Sequence, residues 1–221
     1  MSRQRTVPDD NIIAATLRVI SRSGPADLTL ADVAREIGLA PATLLQRFGS
    51  KRGLLLAVAR ASSGGVDQCF EQVRRANRSP LAAIFASLEE MTRFCNTPES
   101  MAHSLAFLQI DLTDPDFHSI ALVNAREIHA GYRALVEDAI EARELAPCDA
   151  DRVARTLQVT ASGSMLGWAI VREGTLIDWL RRDVETLLGP LRRKARAKRP
   201  RATSSPAARR VLSVRNKTRR K

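Results

Sequence analysis

Five hydrogen-bonding side chains stand within nine residues near the N-terminus, and four of them, Thr43, Gln46, Arg47 and Lys51, suit a nucleic acid. Their chemistry is recognition rather than bond breaking. Gln can pair bidentately with adenine and Arg with guanine in a major groove, while a hydroxyl and an ammonium suit phosphate oxygens. Such contacts need a rigid element to present them, and the surrounding stretch, TLADVAREIGLAPATLLQRFGSK from Thr29 to Lys51, reads as two short helices joined by a tight turn. Thr29 can cap the first helix, and Asp32 three residues later completes a capping-box pattern. Leu30, Val33, Ala34 and Ile37 fall at i, i+3, i+4 and i+7, one apolar stripe. Gly38 follows where a left-handed residue would stop that helix, and Pro41 suits the first position of the next. On this second helix Leu44 and Phe48 face inward. At about 100° per residue, Ala42 and Gln46 point directly away from Leu44, with Thr43 and Leu45 flanking them. Arg47 lies only about 60° from the Leu44 direction, so phosphate is within its reach as well as a base. The pattern is a helix-turn-helix.

These residues resemble the DNA-binding domain of the TetR family of bacterial transcriptional repressors. Its members carry a pattern close to T-x-x-x-I-A-x-x-A-G-V-S-x-x-T-L-Y-x-Y-F-x-S-K. The chain matches it at Thr29, Val33, Ala34, Gly38, Leu39, Thr43, Leu44, Phe48, Ser50 and Lys51. The motif covers about a quarter of the chain; the rest is alike in length and helical character. Two positions depart. Ala40 replaces the Ser that would cap the recognition helix, a contact typically worth about 1 kcal/mol. Leu45 replaces a phosphate-binding Tyr.

The resemblance implies that the second helix sits in the major groove of double-stranded DNA at a palindromic operator. Thr29, Ala40, Pro41, Ala42, Thr43, Leu45, Gln46, Arg47 and Lys51 are then the DNA-binding set, with Gln46 reading a base and Thr43 and Lys51 holding the backbone. It also implies a homodimer, because two reading heads one or more turns apart match a palindrome, and a repressor released by a small-molecule effector. No cofactor is implied.

Charge is distributed unevenly. The chain of 221 residues has a net charge of +11; with 14 Lys and Arg and no acid beyond residue 190, the preceding residues sum to −3. Residues 191–221, rich in Arg and Lys with Pro, Ser and Ala, cannot bury enough apolar surface to offset the entropy of ordering. They are expected to form a disordered tail, either a solvated segment or an arm that adds sequence-independent phosphate attraction. The start of the chain lacks the apolar run of a secretory signal. No stretch reaches membrane-spanning length, and Cys69, Cys95 and Cys148 lack metal or redox spacing. A cytoplasmic, nucleoid-associated protein with no membrane partner fits these features.

The remaining periodicity is helical, so the fold class is all-α. A first helix spans about 10–23, with Ile13, Leu17 and Ile20 inward. After the helix-turn-helix, further helices are expected at about 51–75, 80–96, 100–111, 115–142, 149–172 and 176–188. That makes about nine helices: three in a DNA-binding domain over residues 1–55, and six in a ligand-binding and dimerisation domain over 56–190. In the family the last two helices pair between subunits; here Gly163, Ser164 and Gly167 would let a helix approach, and Trp168, Ile170, Val171, Leu176, Ile177, Trp179 and Leu180 would supply bulk.

An effector pocket is expected in the second domain. Phe70, Phe85, Met91, Phe94, Met101, Phe107, Leu108 and Phe117 recur at helical spacing, as core or as cavity lining. The ligand-binding candidates are Phe70, Phe94, Phe107 and Trp168 as apolar walls, with His103 and His118 as polar contacts. Two rival functions are a DNA-organising protein driven by its basic tail and a metal-dependent hydrolase built on Asp111, Asp114, Asp116 and His118. The second competes with a plainer account, since carboxylates at a helix N-terminus cap it and favour its dipole. No Gly-rich phosphate loop, G-x-S-x-G or Cys–His signature occurs, so no enzyme is expected.

Overall fold

A computed structural model describes residues 7–93 and 97–193. Among these the chain forms ten α-helices and no strand. They are α1 (Asp9–Asp27), α2 (Leu30–Ile37), α3 (Pro41–Phe48), α4 (Lys51–Ser63), α5 (Val66–Ala76), α6 (Pro80–Thr92), α7 (Pro98–Thr113), α8 (Pro115–Glu141), α9 (Ala150–Val171) and α10 (Leu176–Leu188). Every helix expected from periodicity is present. The count rises by one because the expected long fourth helix is interrupted at Gly64 and Gly65, with Gly64 donating its N–H to the Arg60 carbonyl as α4 ends. Each glycine costs about 1 kcal/mol in a helix interior, so a pair is a natural break.

Two other boundaries moved. The first helix does not stop near residue 23 but kinks at Gly24, whose φ of 75° is left-handed, and resumes through Pro25 to Asp27. A Cβ at Gly24 would stand 3.2 Å from the His103 ring, so the kink is closed over by α7. At the other end, Leu191 completes a short 3-10 turn and packs against the core, Ala146 donates to its carbonyl at 2.8 Å, and Arg193 donates to Glu144 at 3.0 Å. The expected tail therefore includes three described residues tied back to the α8–α9 connection; its remainder lies outside the described residues.

The helices bury two clusters. One joins α1–α4 through Ile12, Val33, Leu44 and Leu54, and takes in Phe117 from the first turn of α8. The other draws on α5–α10, including Ile84, Tyr132, Leu157, Trp168 and Leu180. The expected boundary at residues 55 and 56 falls inside α4. In the second cluster a Cβ at Gly131 would come within 2.4 Å of the Phe70 ring. Its absence lets Phe70 lie on the α8 backbone and meet Tyr132 edge-on, centroids 5.1 Å apart.

Burial pushes the Tyr132 hydroxyl up to about 12, against a smaller opposing effect of its hydrogen bond with Ser87. A raised acid stabilises the fold fully below the unfolded value, about 10, and loses that contribution as pH rises toward the folded value. Thermal stability should therefore fall between pH 10 and about 12. Tyr132→Phe should flatten that fall; an identical alkaline profile in a pH series of melting curves would remove Tyr132 as its cause.

Candidate nucleic-acid interface

The helix-turn-helix is built as its residues dictate. Thr29 caps α2 by accepting from the Asp32 N–H at 3.2 Å, and Asp32 returns the favour by accepting from the Thr29 N–H at 3.3 Å. The Thr29 hydroxyl also donates to Asp32 at 2.5 Å, and this bond is the first cause holding the Asp32 carboxyl below its ordinary range. Gly38 ends α2 in a left-handed conformation with φ 68°. Pro41 starts α3, and Ala40 makes no side-chain cap. Leu44 is wholly buried, which fixes the rotation of α3. The opposite face, with Ala42, Leu45 and Gln46, is exposed, and Ala40 and Pro41 are exposed at its start; Thr43 is half-buried at the margin. The Gln46 side chain makes no hydrogen bond to any described residue.

The junction between α3 and α4 is close. The Ser50 hydroxyl accepts from the Gly53 N–H at 3.0 Å, capping α4. A Cβ at Gly53 would fall 2.0 Å from the Phe48 carbonyl oxygen, so only glycine fits without a backbone shift. The first turn of α4 carries no acid, which leaves its positive end suited to an anion.

The two cations of the expected contact set are engaged within the protein. Lys51 donates to the Ala26 carbonyl at 2.6 Å, at the end of α1. Arg47 donates to the Val7 carbonyl at 2.5 Å and pairs with Asp9. It is drawn toward α1 rather than along the open face of α3. Thr29 is likewise occupied by its cap. Thus α3 gathers Ala40, Pro41, Ala42, Leu45 and Gln46 on its outer side, while Thr29, Arg47 and Lys51 brace the fold.

The expected effector contacts do not converge. Phe70 and Trp168 are buried in the second cluster, with the Trp168 indole donating to the Gly174 carbonyl at 3.2 Å. Phe107 packs instead against the first cluster. His103 lies over α1, its Nδ1 2.8 Å from the Ser21 carbonyl oxygen, and His118 is exposed on α8. Phe94 falls outside the described residues. Two surface concavities, of about 600 and 450 Å³, lie at α1–α2 and beside the start of α6, and none of the candidates lines either.

The acids considered as metal ligands have another role. Asp114 caps α8, and Arg52 donates to both of its oxygens at 2.7 and 2.8 Å and to Asp116 at 2.7 Å. The guanidinium is the first cause holding Asp114 below the usual carboxylate range. Asp111, half-buried on α7, is pushed up by burial. No group of three or more His, Cys, Asp or Glu fit to hold a metal ion occurs among the described residues. Arg52 went unnoticed in the sequence, because its partners lie 62 and 64 positions away with no local spacing to connect them.

The helices expected to pair between subunits divide differently from the sequence expectation. Trp168, Leu176 and Leu180 are buried within the subunit, and Ser164 donates to Asp183 of α10 at 2.5 Å. The exposed apolar row on α9 is Val159, Leu166 and Ile170, with Ser162 and Gly163 open between them. No helix of the described residues is long and apolar enough to cross a membrane.

Residues 12–58 match the family of bacterial regulatory proteins named tetR. Among curated relatives, the HTH-type transcriptional regulator BetI of Rhizobium meliloti is 29% identical over 129 residues, which span 56% of this chain and 64% of that protein. The match therefore covers less than two thirds of that relative. BetI 2 of Chromohalobacter salexigens is 28% identical over 74% of this chain and 78% of its own length. A TetR transcription regulator from Haloarcula marismortui shares the fold, with a TM-score of 0.72 at 18% identity, covering 84% of this chain and 98% of that one.

Proposed function

For a chain that is a TetR-family transcriptional regulator, we propose the specific role of a homodimeric repressor that reads a palindromic operator and is released by a small-molecule effector. The observation that carries the DNA-reading part is the outer face of α3. It is exposed, free of charge repulsion, and led by a Gln46 side chain without a partner among the described residues. A buried Leu44 prevents that face from rotating away.

In this reading Gln46 contacts a base edge, Ala42 and Leu45 offer apolar contact such as a thymine methyl would meet, and the backbone at Ala40 and Pro41 approaches phosphate. Thr43 holds the backbone from the margin. Lys51 and Arg47 act first by fixing α1 against the reading head, and reach phosphate only if they exchange these contacts. Residues 1–55 read DNA and residues 56–190 sense and dimerise, the second protomer docking on the α9 row of Val159, Leu166 and Ile170. The basic segment from residue 194 adds attraction to phosphate irrespective of sequence. The protein works in the cytoplasm, at the nucleoid.

Release by an effector is carried over from the family. It requires a ligand that binds the DNA-competent and released conformations with different affinity; tight binding to both shifts nothing. The cavity need not involve the six residues chosen from sequence, since Phe70 and Trp168 serve the core.

Selection of preferred sites from a random duplex pool tests the reading. A two-fold-symmetric motif is expected, and binding without enrichment would favour a DNA-organising protein of slight specificity. On the selected duplex, Gln46→Ala should cost about 1–3 kcal/mol for a bidentate contact and relax preference at one position of each half-site. Equal weakening on all duplexes would remove the base-reading role of Gln46.

A further inference from the structure

Three residues at the start of α8, Asp114, Asp116 and Phe117, hold α4, the first two by ion pairing and the third by burial. Asp114 accepts two hydrogen bonds from Arg52 and Asp116 a third. Phe117 buries its ring in the cluster formed by α1–α4 and also lies under the Arg52 guanidinium, 5.8 Å from it. Asp114 is itself the junction of α7 and α8, the end of one helix and the cap of the next. From there α8 runs for 27 residues into the other cluster, about 40 Å at 1.5 Å per residue. Arg52 is the second residue of the helix that receives α3 through the close Phe48–Gly53 contact.

We propose that Arg52 is a positioning residue, whose fork on Asp114 and Asp116 locks the reading head to α8 and sets the angle at which α3 is presented. The inference deepens the DNA-reading proposal and rests on it for its consequence on binding. Arg52 retains 49% of its side-chain exposure, against 26% for Asp114 and 62% for Asp116. Pairs this open are individually weak, so the joint is one that a moderate displacement of α8 can undo. The planar guanidinium is the group that spans both carboxylates at once; a lysine ammonium keeps the charge and loses the fork.

The test uses the full chain with three variants: Arg52→Gln, Arg52→Lys and the pair Asp114→Asn with Asp116→Asn. Asn caps a helix about as well as Asp, so the start of α8 is retained. On a duplex recovered by site selection, Arg52→Gln and the double Asn variant should each weaken binding about two- to fivefold, the range expected of an exposed ion pair. Combining them should add little, as expected for groups acting as one unit. Arg52→Lys should fall short of wild type. Tighter binding by the double Asn variant, or wild-type binding by Arg52→Lys, would make Arg52 a simple phosphate-attracting cation and overturn the proposal.

Hydrogen exchange on the free protein supplies the readout that needs no DNA. Amides of residues 54–58 should exchange faster in Arg52→Gln and in the double Asn variant alike. Unchanged exchange in both would overturn the joint whatever the binding result. If the wild-type chain enriches no sequence, the DNA-reading proposal fails by itself, and the exchange comparison alone decides for or against the joint.

Discussion

Phe117→Ala should lower the stability of the protein by about 3–5 kcal/mol, the cost of removing a fully packed aromatic side chain from a core. Phe117 is 1% exposed, and the cluster it fills belongs mainly to α1–α4, although the residue itself opens α8. The cavity would therefore lie where the reading head meets the rest of the chain. The same deletion removes the ring beneath Arg52, so the ion pair loses its apolar support. Chemical denaturation followed by circular dichroism reads the loss directly. Phe107→Ala, at a side chain only partly buried against the same cluster, should cost clearly less. A Phe117→Ala loss below about 1 kcal/mol would mean that the site collapses around the gap and that this ring does not join the two parts.

Ile170→Arg should convert the proposed dimer to a monomer and weaken binding to the selected operator by about a hundredfold or more, the gain ordinarily lost when two linked reading heads become one. Ile170 is 72% exposed, Val159 63% and Leu166 46%, and they recur along one helix with small residues between them. A cation within an apolar contact would be buried without a partner, which is costly. Within one subunit the same side chain meets water, so the fold should be retained. Sedimentation velocity reports the mass and gel shift the affinity. A dimer that persists in the variant would move the subunit contact away from this row, and a monomeric wild-type chain would remove it altogether.

The local elements were legible because their signals are local. Thr29 with Asp32, Gly38, Pro41 and the Leu44–Phe48 spacing specify two short helices and the turn between them, and each appears where expected. Asp114, as a carboxylate at a helix N-terminus, likewise marks a helix start through a contact only two residues long. The break at Gly64–Gly65 is also written in the chain, as two adjacent residues of low helix propensity. The kink at Gly24 was less readable, because what encloses it is His103, from a helix 79 positions on.

The chemical occupation of Arg47 and Lys51 was not legible. Arg47 and Lys51 have the composition of phosphate ligands, and nothing in their spacing reveals that α1 offers them Asp9 and the Ala26 carbonyl. Phe70, Phe107 and Trp168 look alike in sequence, as large apolar residues on helices. Packing assigns Phe107 to one cluster and the other two to the second.

Sequence by itself determined the all-α class, the helix-turn-helix, and the outward direction of Ala42, Leu45 and Gln46, since helical periodicity and capping are decided within one or two turns of chain. Tertiary structure decided which charges are spent, which apolar residues remain open on α9, and that Arg52 and Phe117 tie α4 to α8. Those outcomes depend on which helices meet, and burial and ion pairing between residues more than sixty positions apart leave no periodic trace in the chain that encodes them.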